Sequence, residues 1–325
     1  MPELVSAFRP AWWLPGAHLP TIWGKKGRRQ FQVHERIERW ETPDGDHLSL
    51  ARLGTPAPGR RHLLILHGLE GTVASNYAQG LLAQARAKGW SADLMLFRGC
   101  DGTVNRARRL YHSGETTDLD FVVRRLVAAT PGVQLCLAGV SLGGNVLLKW
   151  LGEQGTAVPP EVRRAAAAST PFDLAAGSRN LETPMGQLYV DHFMSSLKAK
   201  TRAKRSVYPD LCDWGRLESS RTFWEFDDAV TGPVHGFSGA LDYYTKSSSI
   251  NFLNTIQVPT FLLNAADDPF LPPEVLDLVR KSFTDSDFIH FEFTQRGGHV
   301  GWIEGFPFAT KYYMEERVIN WLNQE

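Results

Sequence analysis

The 325-residue chain has only three cysteines, Cys100, Cys136 and Cys212, far apart and odd in number. That argues against a disulfide framework and for a reducing compartment, so a cytoplasmic protein is expected. Neither sign of charge is in excess, with 35 Lys and Arg against 35 Asp and Glu. Such a chain has no global pull toward polyanions, and no nucleic-acid partner is expected. No run of uncharged apolar residues approaches the roughly 20 needed to span a bilayer. Residues Met1 to Pro20 lack a basic stretch followed by an apolar core, so they do not read as a secretory signal. No Cys/His cluster has metal-ligand spacing, and neither a metal nor any other cofactor is expected. Internal repeats and low-complexity tracts are missing too.

Against these absences stands one pentapeptide, Gly139-Val140-Ser141-Leu142-Gly143. Before it, Val133–Ala138 is short, apolar and bounded by Pro131 and Gly132, as a buried strand is. After it, Gly144–Leu151 carries apolar residues at helical spacing. A G-x-S-x-G between strand and helix is a nucleophile elbow, with the serine hydroxyl raised from a strained turn at the sheet's edge. The N–H of Leu142 then points into the same space, above the positive end of the helix dipole.

A serine needs a base to become a nucleophile, and the base needs an orienter. In this arrangement the chain order is Ser, acid, His. Val258–Asn264 reads as a strand, and Asp267-Asp268-Pro269 follows in a turn at its C-terminal edge. Asp268 is the expected orienter, because the residue before proline is held extended. Asp267 is expected to close the turn by bonding local backbone. Phe288–Phe293 is the next strand, and the loop after it carries His299 among Gly297, Gly298 and Gly301. His299 is the expected base. An oxyanion hole needs two backbone N–H donors. Leu142 is one, and Leu69 is the other, in the loop His67-Gly68-Leu69-Glu70-Gly71 that follows the strand His62–His67. His67 itself is expected to brace that loop. Arg98 and Glu115, both on loops at the same sheet edge, are expected to pair.

These stretches carry a resemblance. His67–Gly71 with Ser75-Asn76-Tyr77, Phe97-Arg98-Gly99-Cys100, Tyr111–Thr116, Gly139–Asn145, Asn264–Pro269 and Gly297–Gly301 span most of the chain. On them the chain resembles serine hydrolases of the α/β-hydrolase fold, and more narrowly the YheT-like esterase branch, whose eukaryotic relatives are membrane-linked lipid esterases and lipases. The resemblance implies triad roles for Ser141, Asp268 and His299. One departure is Pro20 in His18-Leu19-Pro20-Thr21, where the branch has a polar residue. It bears on how the N-terminal segment docks.

The expected fold class is α/β, a mostly parallel central sheet flanked by helices, with a helical cap or lid insertion. Residues 1–30 are expected to form a strap, 31–171 and 255–325 the hydrolase core, and 172–254 the lid. Within the core, 31–54 reads as a β-hairpin turning at Asp44-Gly45, followed by alternating strands and helices. In the lid, Met185, Leu188, Tyr189, Phe193, Met194 and Leu197 recur at helical spacing. The basic run Lys198–Arg205 reads as a solvated helix end. The aromatics Phe8, Trp12, Trp13 and Trp23 read as a strap over the domain, with peripheral membrane contact as the alternative.

The function expected from all this is cleavage of a carboxylic ester, of short to medium acyl chain or lipid-like, through an acyl-enzyme at Ser141. The expected partner is therefore a small ester or acyl-lipid substrate. A thioesterase or acyltransferase would use the same triad. A non-catalytic binding protein on the same scaffold is the reading from another class, and the intact Ser, Asp and His argue against it.

Overall fold

The computed structural model describes residues 3–28, 32–283 and 287–324. Phe31, at the start of the expected hairpin, lies outside them. Eight strands form one sheet in the order β1-β2-β4-β3-β5-β6-β7-β8. They are β1 (Arg36–Glu41), β2 (His47–Leu53), β3 (Arg61–Leu66), β4 (Ser91–Leu96), β5 (Gln134–Val140), β6 (Val162–Ala168), β7 (Thr260–Ala265) and β8 (Ile289–Thr294). The β1–β2 hairpin joins the edge antiparallel, and the other neighbours from β4 to β8 run parallel. Asp44-Gly45 sits in the hairpin's turn, where Gly45 takes a φ of 76°.

The α-helices among the described residues are, in chain order, α1 (His18–Ile22), α2 (Asn76–Ala87), α3 (Thr117–Ala129), α4 (Leu142–Gln154), α5 (Leu174–Asn180) and α6 (Pro184–Ala203). After these come α7 (Trp214–Ser219), α8 (Phe223–Phe226), α9 (Gly232–His235), α10 (Ala240–Ser247), α11 (Pro273–Ser282) and α12 (Tyr313–Leu322). Central strands such as β3 read as unbroken apolar runs because both faces are covered. Successive side chains alternate between those faces. Leu64 and Leu66 pack with α3, α4 and α11 on one side, while Leu63 and Ile65 pack with α2 and α12 on the other.

Six helices, α5 to α10, lie between β6 and β7. They hold an apolar cluster of their own, centred on Leu181, Val190, Met194, Leu217, Phe226 and Val230. The longest, α6, starts where Thr183 accepts the Gly186 N–H at 3.0 Å and Pro184 fills the first turn. That cap satisfies one orphan amide, and proline has none to offer. Met194 is buried on this helix, whereas Met185 and Leu188 are exposed.

Two charged segments differ from expectation. The run 198–205 is only partly the expected solvated end, since Arg202 and Arg205 are exposed but two of its lysines are not. Lys200 and Lys204 turn inward, and Lys204 is 2% exposed with its ammonium on the carbonyls of Asn105, Ala107 and Arg109. Lys200 continues the inward stripe from Leu197, and Lys204 from Thr201, each three residues on. Arg98 does not pair with Glu115, which takes Arg109 at 2.9 Å instead. The buried Arg98 guanidinium grips Asp118 with two bonds of 2.7 Å and Asp46 at 2.8 Å. Asp118 lies in the first turn of α3, where the helix dipole favours an anion. One cation thereby ties the hairpin, the end of β4 and the start of α3 together.

Removing one partner from a buried charge network strands the others. Arg98→Met is expected to lower unfolding free energy by about 3–5 kcal/mol. Urea unfolding followed by tryptophan fluorescence checks this, and a loss under about 1 kcal/mol would show that Asp46 and Asp118 do not depend on it.

Candidate active site

The parallel strands all end at one edge, where open α/β sheets gather their functional groups. Ser141 ends β5 and starts α4 with φ 56° and ψ −123°, a backbone that L-residues rarely adopt. The turn is tight because strand and helix approach each other closely. A Cβ placed on Gly143 would lie 2.5 Å from the carbonyl oxygens of Leu66 and His67. Only glycine fits there.

The three expected triad residues come together across the ends of β5, β7 and β8. Ser141 Oγ lies 2.9 Å from His299 Nε2. His299 Nδ1 lies 2.8 and 3.1 Å from the two carboxylate oxygens of Asp268. Asp268 is 3% exposed, and its Oδ1 also accepts the Phe270 N–H at 2.8 Å. The Phe270 ring stacks on the His299 imidazole with centroids 4.2 Å apart.

Asp267 does more than expected. Its carboxylate accepts the Gly298 N–H at 2.8 Å, so it holds the histidine loop as well as bonding local backbone. Two further residues in this role were not foreseen. Thr21 Oγ1 accepts the His299 N–H at 2.8 Å, and Ser169 Oγ accepts the Val300 N–H at 2.9 Å. Thr21 lies in the very segment marked by Pro20, which is buried in α1.

Leu69 and Leu142 both face the site. Leu142 is the first residue of α4, so its amide has no acceptor in the helix. The Leu69 amide lies between two that are occupied, with Gly68 N–H on Tyr77 Oη at 2.7 Å and Glu70 N–H on Tyr111 Oη at 2.9 Å. His67 braces the loop as expected. Its Nδ1 lies 2.7 Å from the Gly68 carbonyl, and its Nε2 accepts the Phe97 N–H at 3.1 Å. Burial pushes its pKa down to about 4, so the ring is neutral and donates from Nδ1.

Ser141, His299, Leu69 and Leu142 line a cavity of about 940 Å³. Its far walls come from the α5–α10 segment, among them Leu181, Leu188, Phe193 and Phe226. The arrangement can activate a hydroxyl beside two free amides, in a space large enough for an extended apolar group. Among the described residues no three of His, Cys, Asp and Glu are grouped so as to hold a metal ion. No helix among them is long and apolar enough to cross a membrane.

Residues 61–306 match the family model described as alpha/beta hydrolase fold. The chain is 36% identical to the Escherichia coli (strain K12) protein named "Putative esterase YheT", over 98% of this chain and 93% of that protein. It is 28% identical to the Mus musculus protein named "Phospholipase ABHD3", over 92% of this chain and 76% of that one. Among solved structures, the Pyrococcus furiosus esterase Pf2001 superposes with a TM-score of 0.57 at 16% identity, covering 99% of this chain and 95% of that one. At that identity the last likeness concerns the fold alone.

One acid on the cavity wall stands outside this arrangement. Asp227 accepts hydroxyl bonds from Thr231 and, at 2.7 Å, from Tyr244. Burial nevertheless pushes its pKa up to about 6. The folded chain therefore keeps a proton that the unfolded chain releases near pH 4. The associated stability is complete below about pH 4 and is lost as pH rises through 6. Asp227→Asn, neutral throughout, is expected to raise the melting temperature above pH 6 and to give no gain near pH 4. Melting curves of the two proteins between pH 4 and 8 check this, and a gain independent of pH would contradict it.

Proposed function

Because the chain belongs to the α/β-hydrolase family, we propose that it hydrolyses carboxylic esters through Ser141, His299 and Asp268. The carrying observation is the unbroken chain of contacts from Asp268 through His299 to Ser141 Oγ at the cavity wall. The names of the relatives, an esterase and a phospholipase, support the same class of chemistry.

In this reading Ser141 Oγ attacks the acyl carbon while His299 Nε2 takes its proton. Asp268 fixes the tautomer that leaves Nε2 free to accept, and stabilises the imidazolium that forms. The amides of Leu69 and Leu142 hold the oxyanion, where preorganised donors act most strongly. His299 then protonates the leaving alcohol and later activates water to release the acid.

Residues 172–254 serve as the lid, the described residues among 1–30 as a strap, and the described residues among 31–171 and 255–325 as the catalytic core. The cavity volume lies near the top of the range of about 300–1,000 Å³ usual for ligand pockets, and apolar side chains make up much of its wall. Both features favour an acyl or lipid-like ester over a small polar one. Free cysteines, two of them buried, support a reducing compartment, the cytoplasm.

The test combines fluorophosphonate labelling with hydrolysis of p-nitrophenyl esters from acetate to palmitate. Ser141→Ala is expected to abolish labelling and to lower kcat by about 10⁴-fold or more. Asp268→Asn is expected to cost on the order of 10³–10⁴-fold with little change in KM. A wild-type protein that neither labels nor turns over would overturn the proposal.

A further inference from the structure

Three successive residues, Gly68, Leu69 and Glu70, follow the end of β3 and line the cavity; each carries one amide. The outer two are held by tyrosine hydroxyls, and the Leu69 N–H between them has no acceptor among the described residues. The Tyr111 hydroxyl accepts from the Glu70 amide, so its own proton must go elsewhere. It goes to Glu70 Oε1, at 2.7 Å. That same oxygen accepts Lys200 Nζ, also at 2.7 Å. Lys200 belongs to α6, 130 residues away in sequence, and its ammonium also lies 3.2 Å from Cys100 Sγ.

The loop does not hold this shape by its own preference. Glu70 has a φ of 55°, in the left-handed region that suits glycine rather than glutamate. Its carboxylate is largely withdrawn from water, with a side-chain exposure of 9%. Without Lys200 that buried anion would lose its only ion-pair partner among the described residues and would turn toward water. Tyr111 would then lose the acceptor that orients its hydroxyl. The Glu70 amide would in turn lose a correctly aimed partner, and the backbone could relax away from its strained angle.

We propose that Lys200, Glu70 and Tyr111 are positioning residues, through which a seated α6 sets the Leu69 N–H for oxyanion binding. The inference rests on the serine-hydrolase reading. A displaced α6 leaves the nucleophile and base intact but the oxyanion donor out of place. Turnover away from a closed insertion is thereby suppressed.

The experiment compares wild type with Lys200→Met, Lys200→Arg, Tyr111→Phe and Glu70→Gln. Five quantities are measured: kcat and KM on p-nitrophenyl butyrate, affinity for an alkyl trifluoromethyl ketone, affinity for butyrate, and melting temperature. The ketone adds Ser141 Oγ to its carbonyl carbon, and the proton passes to His299. Its oxyanion therefore probes the Leu69 and Leu142 amides, while butyrate probes ordinary binding. Lys200→Met and Tyr111→Phe are expected to lower kcat about 10- to 100-fold, with KM within about twofold. Ketone affinity falls by the same factor, and butyrate affinity holds. Lys200→Arg restores most of the activity, because its cation still reaches Glu70. The Lys200→Met/Tyr111→Phe pair is no worse than the poorer single variant, since both break one relay.

A purely structural latch would behave differently. The variants would melt earlier, yet keep wild-type kcat and ketone affinity at a temperature where all are folded. That result overturns the inference and spares the hydrolase reading. An inactive wild type that does not bind the ketone takes both down together.

Discussion

Everything at the C-terminal edge of the sheet is arranged around the close approach of α4 to β3 and β5. Gly143 faces the carbonyls of Leu66 and His67 at a distance that leaves no room for a side chain. Ser141 must therefore turn with a positive φ, at a cost of about 1–3 kcal/mol that the surrounding core offsets. Gly68 is pressed against it, since a Cβ there would meet the Ser141 Cβ at 3.0 Å. The β3 loop is thus fixed beside the serine before any other residue is considered. The loops from β7 and β8 then have only one place to converge.

Those converging loops are held by a recurring device. Loop backbone cannot satisfy its own amides as a helix or strand does, so side chains accept from them. In the histidine loop, the amides of Gly298, His299 and Val300 each find a different acceptor: Asp267, Thr21 and Ser169. These come from the end of β7, from α1 and from the end of β6. In the β3 loop, Tyr77 and Tyr111 do the same on either side of Leu69. Three neighbouring amides pinned from three directions leave the imidazole little freedom. The exception is equally informative, because the amide left unpinned in the β3 loop is the one facing the cavity.

The parts of this design that were readable in the sequence are those with local signatures. Strands such as 134–140 are short apolar runs between turn residues, and the elbow has its own spacing. Chain order, together with the proline after Asp268 and the glycines around His299, is enough to select those two residues. The pinning residues have no such signature. Thr21 acts 278 positions from His299, and Lys200 acts 130 from Glu70, so nothing in either neighbourhood announces the contact. The expected pairing of Arg98 with Glu115 gives way to Asp118, which the first turn of α3 presents to it, and to Asp46 from the hairpin turn. In the basic run, charge alone suggested solvent. The stripe of Val190, Met194, Leu197 and Thr201 continues into Lys200 and Lys204 at helical spacing, and that periodicity carried the inward direction.

The α5–α10 segment consequently has two duties that cannot be separated. Its apolar side chains wall the cavity opposite Ser141, and so bear on which ester fits. Its longest helix also carries Lys200, whose ammonium reaches the loop beside Leu69. Rebuilding the walls for a different acyl group repacks α6 against the same core. Any shift of that helix along its axis moves Lys200 by about 1.5 Å per residue, enough to break a 2.7 Å contact. A change of specificity that leaves the cavity wide and dry can therefore still lose turnover. Substitutions near Leu181 or Phe226 must preserve the register of α6 as well as the shape of the pocket.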